Sequence, residues 1–108
     1  MTLNEYQGLA ERTVNKKLTW QEMRAHALHG LAAEVGEIHS IYQKAYQGHT
    51  IDFEQLKEEI GDLLWFAAEL CDTLGIKMDD VAARNIEKLR KRYPEGFDEE
   101  RSRHREQQ

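Results

Sequence analysis

Apolar residues recur every three to four positions along most of the chain, and no long stretch alternates polar with apolar residues. This spacing predicts amphipathic helices rather than strands. Start and stop signals divide the pattern into four helices, which we place over residues 3–14, 20–47, 53–74 and 80–92. The pattern therefore favours an all-α fold.

Residues that favour helix ends bound each predicted helix. The predicted start signals are Thr2 with Glu5, Thr19 with Glu22, Asp52 with Gln55, and Asp79. The predicted stop signals are Gly48, Gly75 and Pro94. The short link over residues 49–52 predicts that the two longest helices form an antiparallel hairpin, the base of a helical bundle. Residues 1–97 would form one domain, and residues 98–108 a charged C-terminal tail.

Two segments of the long helices repeat one pattern. "LAAEVGEI" at residues 31–38 aligns with "LKEEIGDL" at residues 56–63, and each carries two carboxylates three residues apart: Glu34 and Glu37 in the first, Glu59 and Asp62 in the second. On a helical wheel both pairs hold the same phase against the apolar stripe of their own helix. Packing the two stripes together would bring all four carboxylates to one edge of the hairpin.

Four carboxylates in one place repel each other, and a divalent cation is the usual compensation. All-oxygen ligation suits Mg²⁺, and Mn²⁺ as an alternative. A di-iron centre is disfavoured, because none of the four residues has the histidine three positions later that such bundles use. The simpler alternative is a solvated acidic surface, and we assign no function to the similar pair Glu69 and Asp72.

Gly36 and Gly61 occupy matching positions within the two acidic segments. Glycine inside a helix costs roughly 1 kcal/mol relative to alanine. The matched positions therefore predict either a close approach of the two helices or room for a ligand between the carboxylates.

The fourth helix carries a basic face. In "NIEKLRKRYPEGF", Asn85, Lys88 and Arg92 fall at i, i+3 and i+7, on one side of the helix. An amide, an ammonium and a guanidinium beside an acidic metal site would suit a polyphosphate. The alternative is a solvated basic face that complements the helix dipole.

Length and composition narrow the class of protein. A chain of 108 residues is one domain at most, and many short chains complete their core by oligomerising. The formal charge of -5 does not favour nucleic acid as a partner. No apolar run approaches the roughly 20 residues that span a bilayer, so no membrane partner is expected. One cysteine excludes an internal disulfide, and together these features predict a cytoplasmic protein.

"EVGE", then 21 residues, then "EIGD", followed by "NIEKLRKRYPEGF", resembles the MazG-like nucleotide pyrophosphohydrolases of the all-α NTP pyrophosphatase superfamily. The resemblance covers about residues 25–97. One departure is visible, because many members have two adjacent glutamates at the first motif, where this chain has Ala33.

The resemblance implies Mg²⁺-dependent hydrolysis of nucleoside triphosphates, ribo or deoxy, to nucleoside monophosphate and pyrophosphate. It implies that Glu34, Glu37, Glu59 and Asp62 are the metal ligands and catalytic residues, with one of them or Glu58 as the proton acceptor. Asn85 and Lys88 match positions that contact phosphate or complete the site, and Lys88 with Arg92 would steady charge on the leaving pyrophosphate. A homodimer or homotetramer is implied.

One aromatic residue and two histidines of the second helix are candidates for base binding. Trp20, His26 and His29 precede the first acidic pair, in a region that contributes to the nucleobase pocket of related enzymes. The pattern favours the simpler interpretation, a capping aromatic and two surface histidines. Trp65 lies nearly opposite the apolar stripe of its helix, which predicts a subunit interface.

Two alternatives to this function remain. The related phosphoribosyl-ATP pyrophosphohydrolases would share the fold and the site. A helical interaction module without catalysis would have the same helices and a merely solvated acidic edge.

Overall fold

A computed structural model describes residues 1–105, which form five helices and no strand. The helices are α1 (Leu3–Glu11), α2 (Trp20–Ala45), α3 (Phe53–Leu74), α4 (Met78–Arg92) and α5 (Glu99–Arg103). The expectation of an all-α fold is confirmed. Helix α5 adds one short turn of helix within the predicted C-terminal tail, of which residues 106–108 lie outside the described residues.

Most of the expected caps are present at the helix starts. The Thr2 side chain accepts from the backbone N–H of Glu5, Thr19 and Glu22 form a reciprocal capping box, and Asp52 caps α3. Gly75 follows α3 at φ 66°, the left-handed conformation that glycine adopts without strain. Gly48 is also left-handed, at φ 91°, but α2 ends three residues before it.

The predicted cap of α4 is wrong. The helix begins at Met78, and Lys77 occupies the N-cap position without a side-chain hydrogen bond. Asp79 instead joins α4 to α1: its carboxylate accepts from the backbone N–H of Asn4 at 3.3 Å, and its own N–H donates to the Asn4 side chain at 2.9 Å. The Asp79 side chain therefore makes a contact between two helices instead of the cap that the local pattern predicted.

Helices α2 and α3 form the most extensive contact of the chain, and the residues that meet run in opposite order along the two helices. Arg24 donates to the carbonyl oxygen of Thr73 at 2.8 Å. Next along α2, His26 contacts Glu69, and Gly30 lies against the Phe66 ring.

Helix α1 packs on α3 and α4, and Gln7 connects all three. This buried side chain donates to the Asp72 carboxylate at 2.8 Å and to the carbonyl oxygen of Ile76 at 2.9 Å. It also accepts from the backbone N–H of Met78 at 2.8 Å, so it satisfies the first donor of α4. A single amide therefore fixes the turn between α3 and α4 against α1.

Trp65 lies beside this small core rather than on a bare outer face. It packs against the cluster formed by Ala10, Ala68 and Met78, and its indole N–H donates to the Thr13 hydroxyl at 2.8 Å. The sequence pattern had placed Trp65 at a subunit interface, but α1 and the residues after it cover part of the ring because they cross this side of α3.

The protomer is open. Its radius of gyration is 17.2 Å, against about 13 Å for a compact domain of this length. Leu28, Val35 and Tyr42, spaced by seven residues on α2, are 52%, 45% and 48% exposed. None of the helices in residues 1–105 has the length and apolar character needed to cross a membrane.

Candidate active site

Three of the four predicted carboxylates converge where α2 faces α3. Glu34 from α2 and Glu59 and Asp62 from α3 each offer an oxygen within 4.8 Å of the others. Glu59 and Asp62 lie three residues apart, so both project from one side of α3. Glu37, one turn beyond Glu34, is exposed and lies outside this group of three.

The surroundings of Glu34 favour its protonated form. Its pKa is raised to about 7 by a hydrogen bond with Glu59, by burial, and by the charges of Glu59, Asp62 and Glu37. A hydrogen bond between two carboxyl groups requires a shared proton, which is how closely placed acids relieve their repulsion. Glu37 therefore contributes to the field of the site although its oxygens lie outside the cluster.

The donor set fits a hard divalent cation. All three groups offer carboxylate oxygen, the ligand that Mg²⁺ and Mn²⁺ prefer. The Oε2 atom of Glu34 is shielded from solvent and has no hydrogen-bond partner, so it has capacity for a further ligand. Glu34, Glu59 and Asp62 would hold the ion. The negative charge of Glu37 acts on Glu34 and would also favour a bound cation.

The matched glycines do not mark a close helix approach. A Cβ built at Gly36 or Gly61 meets nothing within 4 Å, so the space beside both is open. The close approach is instead at Gly30, where a Cβ would overlap the ring of Phe66. The prediction of a close approach at the matched pair is wrong, because the contact that needs a glycine lies one turn before Glu34, at the residue that precedes the first acidic segment. The other expectation, room for a ligand, stays a prediction.

The basic residues of α4 share one surface cavity of about 710 Å³. Asn85, Lys88 and Arg92 all line it, together with Arg84 and Lys91, which the sequence analysis did not single out. Helix α4 packs mainly on α1. Within residues 1–105 no hydrogen bond or ion pair links this cavity to the carboxylates on α2 and α3.

Trp20 and His29 are both exposed on α2 and lie at different distances from the carboxylates. Trp20 lines a second cavity of about 310 Å³ with Val14, Leu18 and Met23. It precedes Glu34 by fourteen residues, about 21 Å along a helix. His29 precedes Glu34 by five residues, about 7.5 Å. Base binding by these residues stays a prediction.

Glu69 is a buried carboxylate near this site that the local sequence pattern did not reveal. Glu69 on α3 is 1% exposed, and both of its oxygens lie within hydrogen-bond distance of His26 Nδ1, at 2.8 and 3.1 Å. The imidazole also contacts the rings of Trp65 and Phe66, with centroids 6.4 and 5.6 Å away. In the sequence, His26 stands eight residues before Glu34 and Glu69 seven residues after Asp62. Only the pairing of α2 with α3 brings these two residues together.

The described residues form an all-helical chain with a cluster of three carboxylates between α2 and α3. The model of the MazG nucleotide pyrophosphohydrolase domain matches residues 23–97, and the chain belongs to that family.

Among curated proteins, the Gene 37 protein of Mycobacterium phage L5 is 32% identical over 72 residues. That match spans 62% of this chain and 63% of the phage protein's length. No solved structure matches the chain significantly.

Proposed function

We propose that this chain hydrolyses ribo- or deoxynucleoside triphosphates, with Mg²⁺ or Mn²⁺, to nucleoside monophosphate and pyrophosphate. The convergence of Glu34, Glu59 and Asp62 carries the proposal, because three acids within 4.8 Å are stable together only with protons or a cation. Membership of the MazG family supports the reaction class. Phosphoribosyl-ATP is the alternative substrate, since the same site would serve it.

The chain's own residues have separable roles in this reaction. Glu34, Glu59 and Asp62 position the cation, which when bound neutralises phosphate charge and acidifies water. Glu37, at the rim, adds negative charge that favours cation binding. A carboxylate of this group, or Glu58 beside it, accepts the proton of the attacking water. Asn85, Lys88 and Arg92 bind the polyphosphate and stabilise charge on the leaving pyrophosphate.

We propose further that the active form is a homodimer or homotetramer. The exposed apolar residues of α2 and the large radius of gyration support this, because a short chain with open apolar faces gains stability by covering them. In such an assembly, the basic cavity on α4 of one copy would lie beside the carboxylates of another copy. The expected location is the cytoplasm.

A panel of ribo- and deoxynucleoside triphosphates with Mg²⁺ tests the function, scoring both pyrophosphate and monophosphate release, with phosphoribosyl-ATP assayed in parallel. Glu59→Gln should lose at least a hundredfold in turnover while keeping its helical circular dichroism. Glu54→Gln, an exposed glutamate on the same helix, is the control and should retain activity. Unchanged triphosphate cleavage in Glu59→Gln would reject catalysis by this cluster. Absence of pyrophosphate release by the native chain would favour a non-catalytic interaction module.

A further inference from the structure

Helix α4 is held to its protomer mainly through its first turn. Among the residues that the structure describes, Met78 is the one on α4 that is buried, and it packs in a cluster with Ala10 of α1. The apolar side chains of Val81, Ile86 and Leu89 further along the helix remain 48%, 46% and 39% exposed. The rest of α4 therefore gains little support from burial within the protomer.

Side chains of α1 satisfy the first backbone donors of α4. The N–H of Met78 donates to Gln7 Oε1 at 2.8 Å, and the N–H of Asp79 donates to Asn4 Oδ1 at 2.9 Å. The Asp79 carboxylate accepts in return from the backbone N–H of Asn4 at 3.3 Å. The start of a helix has free N–H groups that usually find a local cap. Here α1 supplies that cap from a distant part of the chain, so α1 sets the direction of α4.

The basic residues proposed to bind polyphosphate lie far from this anchor. Lys88 and Arg92 follow Met78 by ten and fourteen residues, about 15 and 21 Å along a helix. A tilt of about 10° at the first turn moves a residue 21 Å away by roughly 4 Å. Hydrogen bonds form over a range of only about 0.5 Å in distance, so such a tilt would break contacts to phosphate.

We propose that Asn4 and Asp79 are positioning residues for the polyphosphate site. Their reciprocal hydrogen bonds, with Gln7 beside them, set the angle of α4 and hence the position of its basic face. The inference rests on the proposed pyrophosphohydrolase function and adds α1 to the elements on which substrate binding depends. The carboxylates of α2 and α3 are not part of this link, so Mg²⁺ should stabilise variants of Asn4 as it stabilises the native protein.

Removing one hydrogen-bond acceptor at a time tests the proposal. Asn4→Ala leaves the N–H of Asp79 without its acceptor, and Asp79→Ala does the same to the N–H of Asn4. Each should raise KM for a nucleoside triphosphate by about fivefold, the effect of one hydrogen bond's net contribution. The inhibition constant of inorganic tripolyphosphate, which has no nucleoside, should rise by the same factor. Neither constant depends on the fraction of protein that is folded, so a loss of stability alone leaves both unchanged.

Three further measurements identify the hydrogen bonds as the cause. Asp79→Asn keeps an oxygen for the N–H of Asn4 but carries no charge, so this conservative variant should retain the native KM. Glu5→Ala, at an exposed neighbouring position of α1, is the control and should retain it too. Hydrogen exchange of the Asp79 amide should accelerate in Asn4→Ala and stay native in Glu5→Ala.

The remaining outcomes are decisive. Native KM in both Asn4→Ala and Asp79→Ala overturns the positioning role and leaves the pyrophosphohydrolase function standing. An equal rise of KM in Asp79→Asn and Asp79→Ala overturns it as well, because charge at the start of α4 would then matter instead of the hydrogen bond. Absence of pyrophosphate release by the native protein from every triphosphate overturns the function, and the inference with it.

Discussion

Gly30 of α2 lies so close to the ring of Phe66 on α3 that a methyl group at position 30 would overlap it. The contact sets how near the two helices approach at this level. The carboxylates of Glu34, Glu59 and Asp62 converge one turn further along, so their separation depends on the same spacing. A glycine outside the acidic segments thus helps to define the candidate metal site.

Gly30→Ala should destabilise the protein by roughly 1 to 3 kcal/mol, the usual cost of overpacking a well-packed contact. The added methyl group must displace Phe66 or α3, because an aromatic ring is rigid and cannot deform to make room. The free energy of unfolding, measured by denaturant titration followed by circular dichroism, gives the result.

Gly8→Ala is the matched control for that substitution. Gly8 also lies within a helix, but a Cβ there meets nothing within 4 Å. Alanine should therefore stabilise α1 by up to about 1 kcal/mol. Adding Phe66→Leu to Gly30→Ala should recover part of the loss. A Gly30→Ala protein as stable as Gly8→Ala would contradict the close contact.

Gln7→Ala should cost roughly 3 kcal/mol, about 1 for each of the three hydrogen bonds that the buried amide makes. The loss leaves the carbonyl of Ile76 and the N–H of Met78 without their partner, so the turn between α3 and α4 should loosen from α1. Hydrogen exchange of the Met78 amide should accelerate along with the fall in stability. Gln21→Ala, at an exposed position of α2, should change neither.

Local sequence signals predicted the helices well, and long-range contacts explain the exceptions. Thr19 and Asp52 act as caps because capping depends on residues three positions apart. Asp79 failed as a cap because Asn4, 75 residues earlier, binds it. No periodicity within one helix could reveal that partner.

The candidate site shows the same division. The repeated phase of the acidic pairs correctly indicated that carboxylates of α2 and α3 could meet, whereas the importance of Gly30 depends on the position of Phe66. The sequence pattern assigned Glu69 no function, yet this residue is buried against His26. Its burial follows from helix pairing, which the chain's local pattern does not encode.

Mg²⁺ should raise the melting temperature of the native protein, because a cation that binds only the folded state stabilises it by mass action. At a hundredfold excess over the dissociation constant the gain is about 2.7 kcal/mol. Glu34→Gln should abolish most of the increase, while Glu54→Gln should keep it. Differential scanning fluorimetry measures the melting temperatures. An equal increase in all three proteins would place the cation elsewhere.

Asp72→Asn should make stability less dependent on pH. Burial raises the pKa of Asp72, with a further contribution from the charge of Glu11, and its Oδ2 atom is buried without a hydrogen-bond partner. A carboxyl group with a raised folded pKa disfavours the folded state once it ionises, so this cost is absent below the unfolded pKa of about 3.9 and complete above the folded pKa. Asparagine keeps an oxygen for Gln7 and carries no charge.

The variant should therefore gain on the native chain as pH rises from about 3.9, the unfolded carboxyl pKa, to 7. Unfolding free energies at intervals across this range measure the difference, with Glu54→Gln as the control for loss of one negative charge on α3. A difference that stays constant with pH would show that Asp72 ionises equally easily in both states. Its buried oxygen would then have to be solvated in the folded protein, against the geometry of the contact between α1 and α3.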